Sequence, residues 1–489
     1  MSTQTVTATE PPAIPMTVLE VQQHQGPRDR QDLRDPEAAA CPGTTPAYHD
    51  PEGIRHTIVD QTPAVPYFKL LVSGFSYICA GINDGTLGPL IPHIIDTYHI
   101  GTGEVAIIYA STFAGWLLAA ATGPLLTAHL TLGQLLAAGA ALQLLAQCLR
   151  PWGGGGLFPL YCVTFFIQSL GMAYQDSHAN TFVSGLANVP HRWLGFIHAC
   201  YALGCLVGPL IATGLATSAK TPLGATDTTG VESWKRVYFI LIGIGVVNMV
   251  GVVAAFRDSL CGDSSRLPAY PTTTAMTGNS PRQRTSAAFR ELAILFRSRA
   301  LWLLSLFYFF NFGALLTAGG WVVEFLTTRT TTSGSSSSPA VGYVPTGLYG
   351  GLLLGRLLLA EPTFRLGERR MLLAYSAACA ALQLVFWLQP SLVASAVALS
   401  LIGFFSGPFF ATGMSVASKL FPKKSQPAAL GFIFVLAQAG GAIFPSMTGL
   451  VATSAGVAVL QPIVLALLVA SAGCWYMVPR VVVVSPHQE

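Results

Sequence analysis

The chain has 489 residues, 52% of them hydrophobic and only 10% charged, with a formal net charge of +4. A soluble domain carries about 25% charged residues. The composition therefore excludes a water-soluble globular protein, and so small and dispersed a charge excludes a nucleic-acid partner. The sequence is that of an all-α integral membrane protein whose partner is the lipid bilayer.

Residues 1–65 are polar and proline-bearing with no apolar run, which predicts a disordered cytosolic tail. Apolar segments follow at 67–91, 104–126, 132–150, 157–187, 192–216, 236–257, 300–326, 341–361, 371–389, 391–415, 427–452 and 459–479. Each is long enough to cross about 30 Å of hydrocarbon at about 1.5 Å per residue. Twelve spans are expected, divided six and six: an N-terminal half 66–257, a basic cytosolic linker 258–299, a C-terminal half 300–480 and a short cytosolic tail 481–489. With both termini in the cytosol, 21 of the 26 Lys and Arg residues fall on the inner side and five on the outer, Arg150 among the five. The positive-inside rule favours that orientation. Residues 327–339, Ser/Thr-rich, read as a flexible outer loop. The nine cysteines show no metal-ligand spacing, and no HExxH or GxSxG motif occurs in the spans. No metal, no cofactor and no enzymatic activity are expected.

The halves repeat. A shift of 236 residues lays LGFI at 194–197 over LGFI at 430–433, Gly204 over Gly440, Pro209 over Pro445 and Gly171 over Gly407. Two duplicated six-span halves resemble the major facilitator transporters, which implies a site at the membrane midplane between the halves. The copies differ in polarity: Asp176 falls on Thr412, Asn180 on Val416 and His198 on Phe434. Ion chemistry is therefore expected in the N-terminal half, with shape and substrate contacts from the other.

Burying a carboxylate in hydrocarbon costs roughly 2.5–3.5 kcal/mol on insertion scales, so the acids in the spans are either paired or protonated as structural glue or, the reading favoured by there being two of them, set on a path for ions or substrate. Asp84 lies in GINDGTLGPLIP, residues 81–92, beside Asn83 and three glycines that allow close helix approach. Asp176 and Asn180 share a face of the fourth span, four residues apart; Gln168 and Gln175 share another. Rise per residue puts Asp176 about 16 Å above the inner end of its span, with Tyr201 about 13 Å and His198 about 9 Å above the start of the next. A polar cavity between Asp176 and Tyr201 is the expectation. In the second half, Asn311 and Trp321 of the seventh span and Gln438 of the eleventh offer amides and a ring suited to an uncharged polar substrate.

The run DSHANTFV at 176–183 and the GIND at 81–84 resemble the fucose–proton symporters and their galactose and hexose relatives, fungal members included. The resemblance implies that Asp84 and Asp176 are the proton-linked pair. Where the symporters carry Glu, this chain has Asp176, and where they carry amides it has His198 and Tyr201. The expected function is secondary transport of a small polar solute, a sugar among the candidates, by alternating access and coupled to protons. Asn83, Gln175, Asn180, His198, Tyr201, Asn311, Trp321 and Gln438 are the expected substrate contacts. The expected form is a monomer in the plasma membrane. An exporter or uniporter of a fungal metabolite, and a non-transporting receptor, are the alternatives.

Overall fold

Every regular element among the described residues is helical, as hydrocarbon demands: a helix satisfies its own backbone hydrogen bonds where no water is present. The computed structural model describes residues 66–151, 157–186, 190–218, 233–260, 295–332, 339–422 and 425–479. The expected tail 1–65, residues 261–294 of the linker, 333–338 of the Ser/Thr-rich loop and the C-terminal 480–489 lie outside them.

The first half comprises α1 (Tyr67–Tyr98), α2 (Thr102–His129), α3 (Leu132–Leu149), α4 (Phe158–Ser184), α5 (Pro190–Ser218), α6 (Val237–Ala255) and the short α7 (Arg257–Leu260). The second comprises α8 (Arg299–Thr332), α9 (Val344–Leu358), α10 (Ala360–Leu366), α11 (Glu368–Leu388), α12 (Leu392–Ser406), α13 (Phe409–Leu420), α14 (Gln426–Ala455) and α15 (Leu460–Met477). Nine helical segments are long and apolar enough to span a bilayer, α12 with α13 counting as one, and α9 with α10 form a further span bent by 51°. The remaining two spans are α1 and α4, 32 and 27 residues long. They fall short on hydropathy because of their polar residues, Asn83 and Asp84 in one and Gln168, Gln175 and Asp176 in the other.

Some boundaries differ from the sequence reading. α1 continues through Pro89 and Pro92 to Tyr98, and ends where His99 turns left-handed at φ 52° and donates back to Asp96. The expected tenth span is broken at Gly407–Pro408, where proline has no N–H to continue the ladder. Residues 327–332, read as loop, are the last turns of α8. Their hydroxyls bond back to carbonyls of the preceding turn, as Thr331 does to Thr327 at 3.1 Å.

One close helix contact recurs in both copies of the repeat. Gly204 on α5 meets α1 so closely that a Cβ there would lie 3.0 Å from Gly81 Cα, and its counterpart Gly440 presses on the Phe309 backbone of α8. The Tyr77 hydroxyl of α1 donates to the Asp176 carbonyl at 3.1 Å, and the Tyr308 hydroxyl of α8 donates to the Phe410 carbonyl at 2.6 Å.

The packing differs between the two membrane faces. On the face opposite the start of α1, here the far face, a single buried cluster runs through both halves and includes Ile91, Val105, Trp234, Trp321, Val341 and Leu460. On the near face, where α1 begins, each half keeps its own core: Leu136, Val183, Ile197 and Phe256 in the first, Leu301, Phe307, Val416 and Trp475 in the second. The halves thus share a large core on one side, while toward the other they meet through the small α5–α9 cluster of Ala202, Cys205, Tyr349 and Leu352.

Candidate functional site

Between the halves, where the shared core gives way to the two separate ones, lies a small cavity of about 60 Å³. α1 contributes Asn83, Asp84 and Leu87; α4 contributes Phe165, Gln168, Ser169 and Met172. Tyr109, Thr112 and Trp116 form one stripe of α2, at spacings of three and four residues. From the second half come Leu316, Gly320, Tyr349 and Gln438. The walls are mostly aromatic and aliphatic, with amides and one carboxylate converging on the space.

The Asp84 carboxyl is held at two points. The Tyr201 hydroxyl donates to Oδ2 at 2.7 Å and the Asn83 amide donates to Oδ1 at 3.3 Å. The Tyr109 hydroxyl, buried in the wall, has no hydrogen-bond partner among the described residues.

The cavity lies between two layers of contact that join the halves. On its far side, the Gly88 backbone packs against Gly319 and Gly320, where any side chain would collide. There Thr213 donates to the Gly342 carbonyl at 2.8 Å, and Tyr109 and Trp321 pack with ring centroids 6.4 Å apart. On its near side the contacts are the α5–α9 packing of Ala202 and Cys205 on Leu352, the His198 ring against Phe410 at 4.5 Å, Trp116 against Phe434 at 5.8 Å, and an Arg356 guanidinium bond to the His198 carbonyl at 2.5 Å.

The expected site residues separate accordingly. Asn83, Asp84 and Gln438 line the cavity, and Tyr201 reaches it through Asp84. The polar cavity expected between Asp176 and Tyr201 lies instead at Asp84, which takes the Tyr201 hydroxyl. Asp176 continues the stripe of Phe165, Ser169 and Met172 one turn toward the near face, beneath the cavity, and Asn180 lies one turn further still. Among the described residues no side chain hydrogen-bonds or ion-pairs with the Asp176 carboxyl. Gln175 is not a cavity residue: its Oε1 accepts from Gln143 and Asn248 and its Nε2 donates to the Leu136 carbonyl, so its bonding capacity is met inside the first half. Trp321 is buried in the far-face core with its indole N–H on the Pro445 carbonyl at 3.0 Å. Asn311 precedes the cavity residue Leu316 by five positions, roughly 140° around the helix, and is turned off the cavity face. His198 belongs to the near-side contact.

Sequence reasoning missed Tyr109, Thr112, Trp116 and Tyr349, and it missed Arg150. The aromatic–polar stripe on α2 was a legible signal. Arg150 was not, since it stands at the end of a span and counts there as a loop charge.

A sequence profile described as Major Facilitator Superfamily matches residues 74–359 and 326–488. The chain belongs to the major facilitator superfamily. The facilitator is 25% identical over 435 residues to Bypass of stop codon protein 6 of the yeast Saccharomyces cerevisiae, a match covering 85% of this chain and 81% of that one. Its fold is similar to that of the E. coli fucose:proton symporter, with TM-score 0.59, 18% identity, and 85% and 98% of the two chains covered. It is also similar to a D-xylose–proton symporter, with TM-score 0.63, 11% identity, and 85% and 98% covered. For a nucleoside transporter the TM-score is 0.60 at 14% identity, with 84% and 98% covered. The facilitator is a multi-pass membrane transporter by family, and these likenesses describe its fold.

Proposed function

We propose that this facilitator moves a small, uncharged, hydroxyl-bearing solute across the plasma membrane by alternating access, as a monomer, with proton movement coupled through Asp84 and Asp176. The observation that carries the reading is the Asp84 carboxylate in the wall of the inter-half cavity, between a continuous core on one face and a thin contact layer on the other. A carboxylate there alternately meets both sides of the membrane as the halves rock, and protonation decides how costly its burial is in each state. Asn83, Gln168 and Gln438 supply donors and acceptors for substrate hydroxyls, and Tyr109, Trp116 and Tyr349 supply ring faces. The fucose, xylose and nucleoside transporters of the same fold act on molecules of this chemistry. The near face is assigned to the cytosol on the distribution of basic residues.

The test is uptake of L-fucose, D-xylose and uridine by proteoliposomes carrying an internal pH probe. Accumulation of one of them driven by an imposed pH gradient, with matching internal acidification, is expected. Transport without proton movement would leave a uniporter, and no flux of any of the three would remove this solute class.

A further inference from the structure

A cation is buried beside this carboxylate. Arg150 caps α3 at the far face, yet its side chain turns inward and is 1% exposed. Its guanidinium lies 4.0 Å from the Phe165 ring centroid and 5.4 Å from that of Tyr238. Nη1 donates to Asn83 Oδ1 at 2.8 Å and to Gln147 Oε1 at 3.3 Å, and Nε donates to Thr164 at 3.1 Å. Nη2 has no acceptor among the described residues. A buried guanidinium without a carboxylate in contact is costly unless a negative charge lies close by.

The bonding pattern fixes the orientation of the amides around it. Arginine has only donors, so Asn83 must turn its oxygen to Arg150, and its NH2 then faces the Asp84 carboxyl at 3.3 Å. The same constraint propagates down the first half. Gln147 receives from Arg150 and donates to Gln168 at 3.1 Å, Gln168 donates to Gln143 at 3.2 Å, and Gln143 donates to Gln175 at 2.6 Å. Gln175 ends the chain on the Leu136 carbonyl, which can only accept. Aligned amides in a chain polarise one another. The positive end of the chain is anchored at Arg150, next to Asn83 and Asp84, and its last glutamine precedes Asp176 in sequence.

The internal repeat supplies an independent observation. AAGAALQL at 137–144 recurs as AACAALQL at 377–384, a shift of 240, which sets Arg150 on Pro390. The recurring glycine contact, Gly204 against the Ile78 carbonyl and Gly440 against the Phe309 carbonyl, gives a shift of 231 between α1 and α8, which sets Asp84 on Leu315. With Asp176 on Thr412, the second half lacks both acids and the arginine together.

We propose that Arg150 is the fixed counter-charge of the Asp84 carboxylate, delivered through the Asn83 amide, and so a positioning residue for proton coupling. This rests on the coupling reading above. The titratable groups facing Asp84 are Tyr109 on α2, Arg150 on α3, Asp176 on α4, Tyr201 and Cys205 on α5, and Tyr349 on α9. Arg150 is the one fixed positive charge in that set. With one proton shared between the two acids, the acids and the arginine sum to zero.

The test is substrate-free. The full chain is reconstituted in lipid and its protonated-carboxyl infrared band is titrated with pH, the Asp84 share being the part lost in Asp84→Asn. Losing the cation favours the neutral acid, so Arg150→Gln should move the Asp84 midpoint upward by roughly one pH unit or more. Arg150→Lys, which keeps the charge, should move it less than half as far. Should Arg150→Gln fail to fold, Asn83→Leu removes the bridging amide with the guanidinium in place, and should move the midpoint the same way. An Asp84 midpoint that stays put in whichever of these variants folds overturns the assignment. If Asp84→Asn removes no titrating band, the coupling reading itself fails, an outcome distinct from a band that is present but unmoved.

Discussion

Asp176 and Asp84 are held differently, and the difference sets what each substitution should do. Asp84 has two hydrogen-bond donors at the cavity wall. Asp176 lies a turn beneath, its backbone carbonyl taken by Tyr77 and its carboxyl without a side-chain hydrogen-bond partner among the described residues. Asp176→Asn keeps the size and removes the titratable proton. It should abolish gradient-driven accumulation while solute exchange persists at unmodified surface expression. Accumulation at the unmodified level would leave Asp176 a packing residue. The acids were legible in the sequence because a carboxylate in a span is conspicuous against hydrocarbon. Gln175 and Trp321 were misread for a related reason. A polar or ring-bearing residue in a span looks the same whether it faces a cavity or satisfies a neighbouring helix, and only helix phase separates the two.

At the scale of elements, the α1–α5 crossing is set by Gly81 and Gly204 in contact, while Gly195, on the same helix α5, has nothing within 4 Å of where a Cβ would lie. Gly204→Val should therefore destabilise the first half by about 1–3 kcal/mol through overpacking, read as earlier thermal unfolding in detergent. Gly195→Ala should leave unfolding unchanged. Equal effects of the two would contradict the close crossing. The near-face contact is a second element-level device, built on His198, Phe410, Trp116 and Phe434 rather than on a shared core. Phe410→Ala combined with Phe434→Ala should widen the distance between spin labels placed at the near ends of α5 and α13, with far-face distances unchanged. An unchanged near-face distance would mean that these rings do not hold the halves together. The sequence carried the glycines and the repeat that positions them. It did not carry the break at Gly407–Pro408 or the helical turns at 327–332, since proline is tolerated at one site in α1 and ends a helix at another, and threonine hydroxyls can cap their own turn.

For the whole molecule, the span count, the two halves and the duplication followed from hydropathy and self-similarity. The asymmetry of the two faces did not, because it depends on which apolar residues meet across the halves. That asymmetry ties the orientation to the mechanism: the face without the large shared core is the one assigned to the cytosol. Reporter fusions at the N-terminus and within 333–338 should land on opposite sides of the membrane, and a cytosolic 333–338 would reverse the assignment of faces. The most direct measurement of the central claim compares accumulation with counterflow in proteoliposomes for the unmodified chain and Asp84→Asn, using whichever of L-fucose, D-xylose or uridine is transported. The unmodified protein should do both, and Asp84→Asn should retain counterflow while losing gradient-driven accumulation. Accumulation by Asp84→Asn equal to that of the unmodified protein would contradict proton coupling through the inter-half cavity.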